Sequence, residues 1–178
     1  IRAILNTHTH PDHIGINRDL AKRGMLESLR VVGCGARASD VPGITETVAD
    51  GDTVVLGGTE GKVILSEGHM DGHIAFLFDD LLFSGDSLFA GGCGYLFDGP
   101  PSKMHDGLER FGKLPPATKV CCAHEYTQDN LTFAWSVEPG NAALRQRIID
   151  VWEIRAGGGC AVPSTIGLEL ATNPFMRT

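Results

Sequence analysis

Apolar and polar positions alternate in short blocks along this chain, and the blocks predict alternating strands and helices. Ile1–Leu5 is an apolar run that predicts a strand. Ile14–Arg23 predicts a helix, with Ile16 and Leu20 on its inner side and Asp12 near its start. Arg30–Gly33 predicts a short strand, and Pro42-Gly43 a loop. Thr53–Leu56 and Lys62–Leu65 read as a hairpin through Gly57-Gly58, and Ile74–Phe78 pairs with Leu81–Phe83 through Asp79-Asp80. Gly91-Gly92-Cys93-Gly94 is a turn, and Asp98-Gly99-Pro100-Pro101 a loop. Met104–Leu114 predicts a helix ended by Pro115-Pro116, and Lys119–Cys122 the last strand. Thr127–Val137 and Asn141–Ala156 then predict consecutive helices broken at Pro139-Gly140. Gly157-Gly158-Gly159 is a break, and Ser164–Ala171 a final helix capped by Ser164. Strands stop near residue 127, which divides the chain into a mixed α/β part, 1–126, and a helical part, 127–178.

Composition narrows the class. The 42% hydrophobic content over 178 residues supports a core for one domain, or one with a small appendage. A formal net charge of −7 argues against nucleic acid as the main partner, because a phosphate backbone needs a basic surface. No apolar run approaches the roughly 20 residues of a membrane span, so a membrane is not expected as a partner. No signal peptide is visible. The five cysteines form no C-x-x-C pair, which points to reduced thiols and a cytoplasmic setting, an organelle remaining open. Cys93 reads as a small packing residue beside a glycine turn.

The chemistry is concentrated after the first strand, in Thr7-His8-Thr9-His10-Pro11-Asp12-His13. Imidazole and carboxylate together form a ligand set for zinc and similar divalent metals. His8 and His10 are two apart, so an extended backbone points both to one side. Asp12 and His13 follow a proline and turn toward a second position. A strand delivering two ligands and a loop delivering two more is a plan for a two-metal site. Three histidines together also occur on solvated loops, but partners elsewhere weigh against that reading. His69 follows Lys62–Leu65, Asp86 follows Leu81–Phe83, and His124 follows Lys119–Cys122. Candidate ligands thus follow four predicted strands, the usual way a site is built from strand ends and loops. His73 is expected to orient the His69 loop rather than to bind metal, and His105 to be solvated. No Gly-x-Ser-x-Gly elbow is present, which fits a chemistry without a serine nucleophile.

The H-x-H-x-D-H string from His8 to His13, with Gly68-His69, Gly85-Asp86 and Ala123-His124 after it, resembles the metallo-β-lactamase superfamily. Three longer strings resemble glyoxalase II, the hydroxyacylglutathione hydrolases, within it. They are Gly85-Asp86-Ser87-Leu88-Phe89-Ala90-Gly91-Gly92-Cys93-Gly94, then His124-Glu125-Tyr126-Thr127 continuing to Val137-Glu138-Pro139, then Thr172-Asn173-Pro174-Phe175-Met176-Arg177. The resemblance implies an αββα sandwich with a small C-terminal helical region that binds the glutathione part of a substrate. It implies two divalent ions, zinc first and iron or manganese as options. One would be held by His8, His10 and His69, the other by Asp12, His13 and His124, with Asp86 bridging. Asp12 and Asp86 would be the catalytic carboxylates beside a hydroxide that attacks a thioester of glutathione and a 2-hydroxy acid. Metal binding lowers the pKa of water from ~15.7 toward ~7, which makes such a hydroxide available at neutral pH. Tyr95, Phe97, Tyr126 and Arg177 would face the substrate, Arg177 gripping a carboxylate of glutathione.

The chain departs from the family pattern in four places. Family members have several strands before the histidine string. Without them the first sheet is expected to expose an edge and an apolar face, and the natural protein is expected to extend upstream. Gly15-Ile16-Asn17 stands where two glycines commonly precede the asparagine, and Met70-Asp71 adds a negative charge near His69. Tyr95 stands where Arg or Lys commonly pairs with a glutathione carboxylate, and a hydroxyl offers no charge-assisted fork. These departures keep other readings open: a lactonase or β-lactamase of the same fold, a mononuclear-iron persulfide dioxygenase, or an inactive fragment that binds metal.

Overall fold

The computed structural model describes residues 1–177. Four layers stack as helix, sheet, sheet, helix, the αββα sandwich that the resemblance implied. The first sheet has three parallel strands, β1 (Ala3–Leu5), β2 (Arg30–Cys34) and β3 (Glu46–Val48), in that order. The second has six strands. β4 (Thr53–Leu56), β5 (Thr59–Leu65), β6 (Ile74–Phe78) and β7 (Leu81–Gly85) form an antiparallel meander. Gly57 and Gly58 both have positive φ and close the β4–β5 hairpin in two residues, where a side chain would be strained.

A two-strand ribbon follows, β8 (Leu88–Phe89) against β9 (Gly92–Cys93). β10 (Lys119–Cys122) then pairs parallel with β7. β10 is not the last strand: β11 (Ser164–Thr165) pairs antiparallel with it and forms the sheet's edge. Ser164 is therefore strand. The helix that follows, Ile166–Thr172, is capped instead by Thr165, whose hydroxyl accepts from the Leu168 amide at 3.2 Å. The C-terminal region thus adds a strand to the second sheet as well as helices.

Among the described residues, five α-helices complete the layers. α1 (Gly15–Lys22) covers the three-stranded sheet, where Leu20 and Leu26 pack on Val31 and Val41. Its inner face is Asn17 and Leu20, whereas Ile16 points outward at 45% exposure. Asn17 takes the inner place because it exchanges two amide hydrogen bonds with buried Asn6, at 3.0 and 3.2 Å. α2 (Pro101–Gly112) starts at a proline, three residues earlier than the apolar pattern indicates, since proline is well suited to a helix's first turn. Met104, Leu108 and Phe111 of α2 pack with Ile166 of α5 (Ile166–Thr172) on Ala75, Leu82 and Val120 of the six-stranded sheet. α3 (Thr127–Val137) and α4 (Ala142–Ala156) form a hairpin around Leu131, Ala134, Leu144 and Val151.

Between the sheets, Val32 and Val48 meet Val54, Val63, Ile74 and Phe76. This filling is incomplete. β1 has only β2 as a neighbour, so one edge of the first sheet is open, as expected from the sequence. Beside it lies an apolar groove of about 760 Å³, lined by Leu5, Phe76, Phe78, Leu81 and Phe83 and reaching His13 at one end.

Candidate metal centre

Each candidate ligand stands where a strand ends. The segment after β1 carries His8 and His10, and the tight turn after it carries Asp12 and His13, with the His13 and Ile14 amides both donating to the His10 carbonyl. The β5–β6 connection carries His69, the turn after β7 carries Asp86, and the segment after β10 carries His124. All seven come together. His10 Nδ1 lies 3.1 Å from His8 Nε2 and 2.9 Å from His69 Nε2. His124 Nε2 lies 3.3 Å from both His13 Nε2 and Asp12 Oδ2. Asp86 sits between the trios, its Oδ1 3.3 Å from His13 and its Oδ2 3.6 and 3.7 Å from His69 and His124.

The donor set fits divalent cations. His10 Nδ1 faces two imidazole nitrogens at once, and a single ring proton cannot satisfy both contacts. Asp86 Oδ1 is buried and meets His13 Nε2 at 3.3 Å, a long contact that leaves acceptor capacity a cation would fill. Without metal, the cluster perturbs its own protonation. Burial, with the surrounding imidazoles, drives His8 far below the usual histidine value. Burial also lowers His69, against opposing pulls from the Tyr95 carbonyl and Asp86. Burial pulls on His13 too, but the hydrogen bond and charge of Asp86, with Asp12, outweigh it and raise that ring. Burial would raise Asp86, but the hydrogen bond from His13 and the charges of His13, His124 and His69 win and lower it. Neutral imidazoles beside an ionised carboxylate are the forms that bind metal.

Several contacts aim these ligands. His69 Nδ1–H donates to the Tyr95 carbonyl at 2.8 Å, which leaves Nε2 unprotonated toward the cluster. Thr7 Oγ1 meets His8 Nδ1 at 3.1 Å. His73 is fully buried and braces the His69 loop, its amide donating to the Met70 carbonyl at 3.2 Å, and it supports Asp86 as well. Its Nε2 accepts the Asp86 amide proton at 3.1 Å, and its Nδ1 faces the Ser66 and Ser87 hydroxyls, both at 3.0 Å. Burial pushes its pKa down to about 3, so it stays neutral as the Nδ1–H form. The Asp71 carboxylate is countered by Lys103 at 2.5 Å. His105 is exposed on α2 and takes no place in the metal-binding groups found among the described residues.

The residues expected to face substrate are distributed unevenly. The Phe97 ring packs edge-on against His10 and His69, with centroids at 5.1 and 5.3 Å. Tyr126 stacks on His124 at 5.2 Å and touches Phe89. Tyr95 is 73% exposed beside Phe97. Arg177 is engaged by Glu138 at 2.9 Å, so any carboxylate it received would compete with that pair. Cys93 is partly buried against the sheet and burial pushes its thiol up to about 12, in keeping with a packing role.

This fold and this cluster define a metallo-hydrolase of the metallo-β-lactamase type. The metallo-beta-lactamase superfamily model matches residues 1–124, and that of the hydroxyacylglutathione hydrolase C-terminus matches residues 125–178. The chain belongs to the hydroxyacylglutathione hydrolase family. It is 47% identical over 176 residues to the hydroxyacylglutathione hydrolase of Methylococcus capsulatus, covering 98% of this chain and 68% of that one. Identity to the Rhodospirillum rubrum protein of the same name is 45%, covering 99% of this chain and 69% of the relative. Among solved structures, ETHE1 from Myxococcus xanthus superposes with a TM-score of 0.65 at 26% identity, over 97% of this chain and 61% of that one. The BLEG-1 B3 metallo-beta-lactamase shares the fold, with a TM-score of 0.68 at 19% identity over 99% of this chain and 78% of the other.

Proposed function

We propose that this chain hydrolyses the thioester of an S-2-hydroxyacylglutathione, typically S-lactoylglutathione, to glutathione and the 2-hydroxy acid. The observation that carries the reading is the convergence of two ligand trios on the buried carboxylate of Asp86. His8, His10 and His69 would hold one divalent ion, Asp12, His13 and His124 the other, and Asp86 would serve both. Zinc suits this nitrogen-rich set best, and iron and manganese suit it next. Such ions supply water of lowered pKa and positive charge at the acyl carbonyl.

The protein's own groups do the rest. Asp86 and Asp12 set the negative charge that draws cations to the site, and Asp86, held by His73 through its amide, fixes the spacing of the trios. Phe97 and Tyr126 wall the two sides and exclude water from the acyl group. Water oxygen adds to the acyl carbon, and collapse of the tetrahedral adduct breaks the C–S bond. The sulfur leaves with the electron pair as glutathione thiolate, which needs no strong acid, and the water protons pass to solvent. Residues 1–126 would provide the metal site and 127–178 the glutathione-binding part, with Tyr95 and Arg177 at its margin. Free cysteines and the bacterial relatives support a cytoplasmic setting.

Protein prepared without chelators should contain close to two metal ions per chain by elemental analysis. It should hydrolyse S-lactoylglutathione in preference to a lactone or a β-lactam. Asp86→Ala should deplete both ions, because one carboxylate serves both. One ion or fewer in a folded, metal-replete sample, or a lactone preferred over the thioester, would overturn the reading.

A further inference from the structure

We propose that the C-terminal region orients the ligand His69, with Asn173, Asn130 and Glu169 acting as positioning residues through the backbone of one glycine-rich loop. This rests on the reading of His69 as a metal ligand. The loop is Ala90–Tyr95. At its near end it is clamped from the helical region at three successive residues. Asn130 Nδ2 of α3 donates to the Ala90 carbonyl at 3.2 Å. The Gly91 amide donates to Glu169 Oε2 of α5 at 2.9 Å. Asn173 Nδ2 donates to the Gly92 carbonyl at 3.0 Å and to the same Glu169 oxygen at 3.0 Å. Glu169 and Asn173 are fully buried, and Arg147, itself buried, neutralises Glu169.

At its far end the loop touches the metal centre. The Tyr95 carbonyl receives the His69 ring proton, and the Phe97 amide donates to the His69 carbonyl at 3.2 Å. Gly94 is packed so closely that a Cβ there would lie 1.9 Å from the Asp86 carbonyl oxygen and 2.9 Å from His69 Nδ1. The tract between clamp and contact is only Cys93 and Gly94, and pairing of β9 with β8 stiffens its start. Glycines have no side chains with which to hold their own conformation. Buried backbone groups left without partners are costly, so the clamps define one loop position. That position sets where the Tyr95 carbonyl stands, and hence which His69 nitrogen carries the proton and where the ring points. Neither asparagine touches the cluster, and both act through the loop.

The test reads the ring itself before any metal is added. In metal-stripped, ¹⁵N-labelled protein, two slowly exchanging imidazole N–H signals are expected. One is His69 Nδ1–H on the Tyr95 carbonyl, and the other is His73 Nδ1–H on the two serines, an internal control in the same site. Asn173→Ala should speed exchange of the His69 proton roughly ten-fold and leave His73 unchanged. Zinc titrated against a chromophoric chelator should then show one of two affinities lowered roughly ten-fold, as for other outer partners of metal-bound histidines. Asn130→Ala, at a half-buried position on α3, should act in the same direction more weakly, and it decides the matter if Asn173→Ala does not fold. Unchanged His69 exchange and unchanged zinc affinities in a folded variant overturn the proposal. So does joint loss of the His69 and His73 signals, which marks general loosening. A His69 signal that follows Asn173 in protein that binds no zinc upholds the positioning role and overturns the metal reading alone.

Discussion

Tyr95 is the position where one side chain is expected to change affinity and leave chemistry alone. A basic residue there would form a charge-assisted pair with a glutathione carboxylate, worth about 1.5–3 kcal/mol. Tyr95→Arg should lower KM for S-lactoylglutathione roughly ten-fold by the ~1.4 kcal/mol-per-decade rule. The kcat should hardly change, because the contact is remote from the carbonyl; steady-state kinetics on the variant checks both. The histidines make a second prediction. His8, His69 and His73 are lowered and His13 is raised, so three rings resist protonation in the folded state and one favours it, a net of two. As pH falls below the unfolded value of ~6.5, the unfolded chain binds more protons than the folded one, and stability declines. His13 opposes this, because its contribution is present below ~6.5 and lost as pH rises through its raised value. Asp86, being lowered, loses its contribution only at more acid pH. The Tm of metal-stripped protein should therefore fall steadily from pH 7 to pH 5, with calorimetry in buffers of different ionisation heat showing net proton uptake on unfolding. A flat profile would remove this account. All seven candidate ligands were legible in the sequence because each is a metal-binding side chain directly after an apolar strand. The supports of His69 and Asp86 were not: one is a backbone carbonyl, which no sequence letter marks, and the other depends on Ser66 and Ser87 reaching His73 across paired strands.

Turn chemistry places the ligands at the level of elements. Gly68, directly before His69, has φ +118° and lies against α2, where a Cβ would stand 2.7 Å from the Met104 amide nitrogen. Gly68→Ala meets backbone that cannot swing aside. It should cost on the order of 2 kcal/mol or more in denaturant melts and weaken metal retention in the same variant. The longer elements were readable because their apolar spacing persists over several residues, and Gly57-Gly58 marked a hairpin at once. β3, β8, β9 and β11 have only two or three residues each, too few for alternation to register, and they form because neighbouring strands offer partners. The one-residue slip of the last cap, from Ser164 to Thr165, arose because both carry a hydroxyl and only sheet pairing chooses between them. Glu169, a charged residue amid the apolar neighbours Leu168, Leu170 and Ala171, was a signal of a buried pair, but helical spacing alone does not connect it to Arg147.

For the whole molecule, the salient feature is uneven coverage of the six-stranded sheet. The chain spans about 68% of the length of the Methylococcus capsulatus relative, and the groove beside β1 leaves Phe83 41% exposed. An apolar surface of this kind should bind the dye ANS in the native, metal-loaded state. Phe83→Asp should cut that fluorescence and leave the metal count unchanged, since Phe83 touches no ligand. Equal dye binding by the variant would mean that the groove is closed in solution. The sandwich itself was legible through motif resemblance, because periodicity gives strands and helices but not the way two sheets face each other.

The edge strand Ser164–Thr165 also sets a timetable for synthesis. Every candidate metal ligand has been translated once His124 is made, yet β10 stays uncovered until Thr165 emerges, and the Gly92 carbonyl lacks its partner until Asn173 does. At about 5–20 residues per second, that interval lasts several seconds on the ribosome. A chain stalled in this window carries all seven candidate ligands but exposes a bare strand edge, the feature by which unfinished β proteins aggregate. Quality control acting on such chains would meet a metal-binding polypeptide before it is an enzyme.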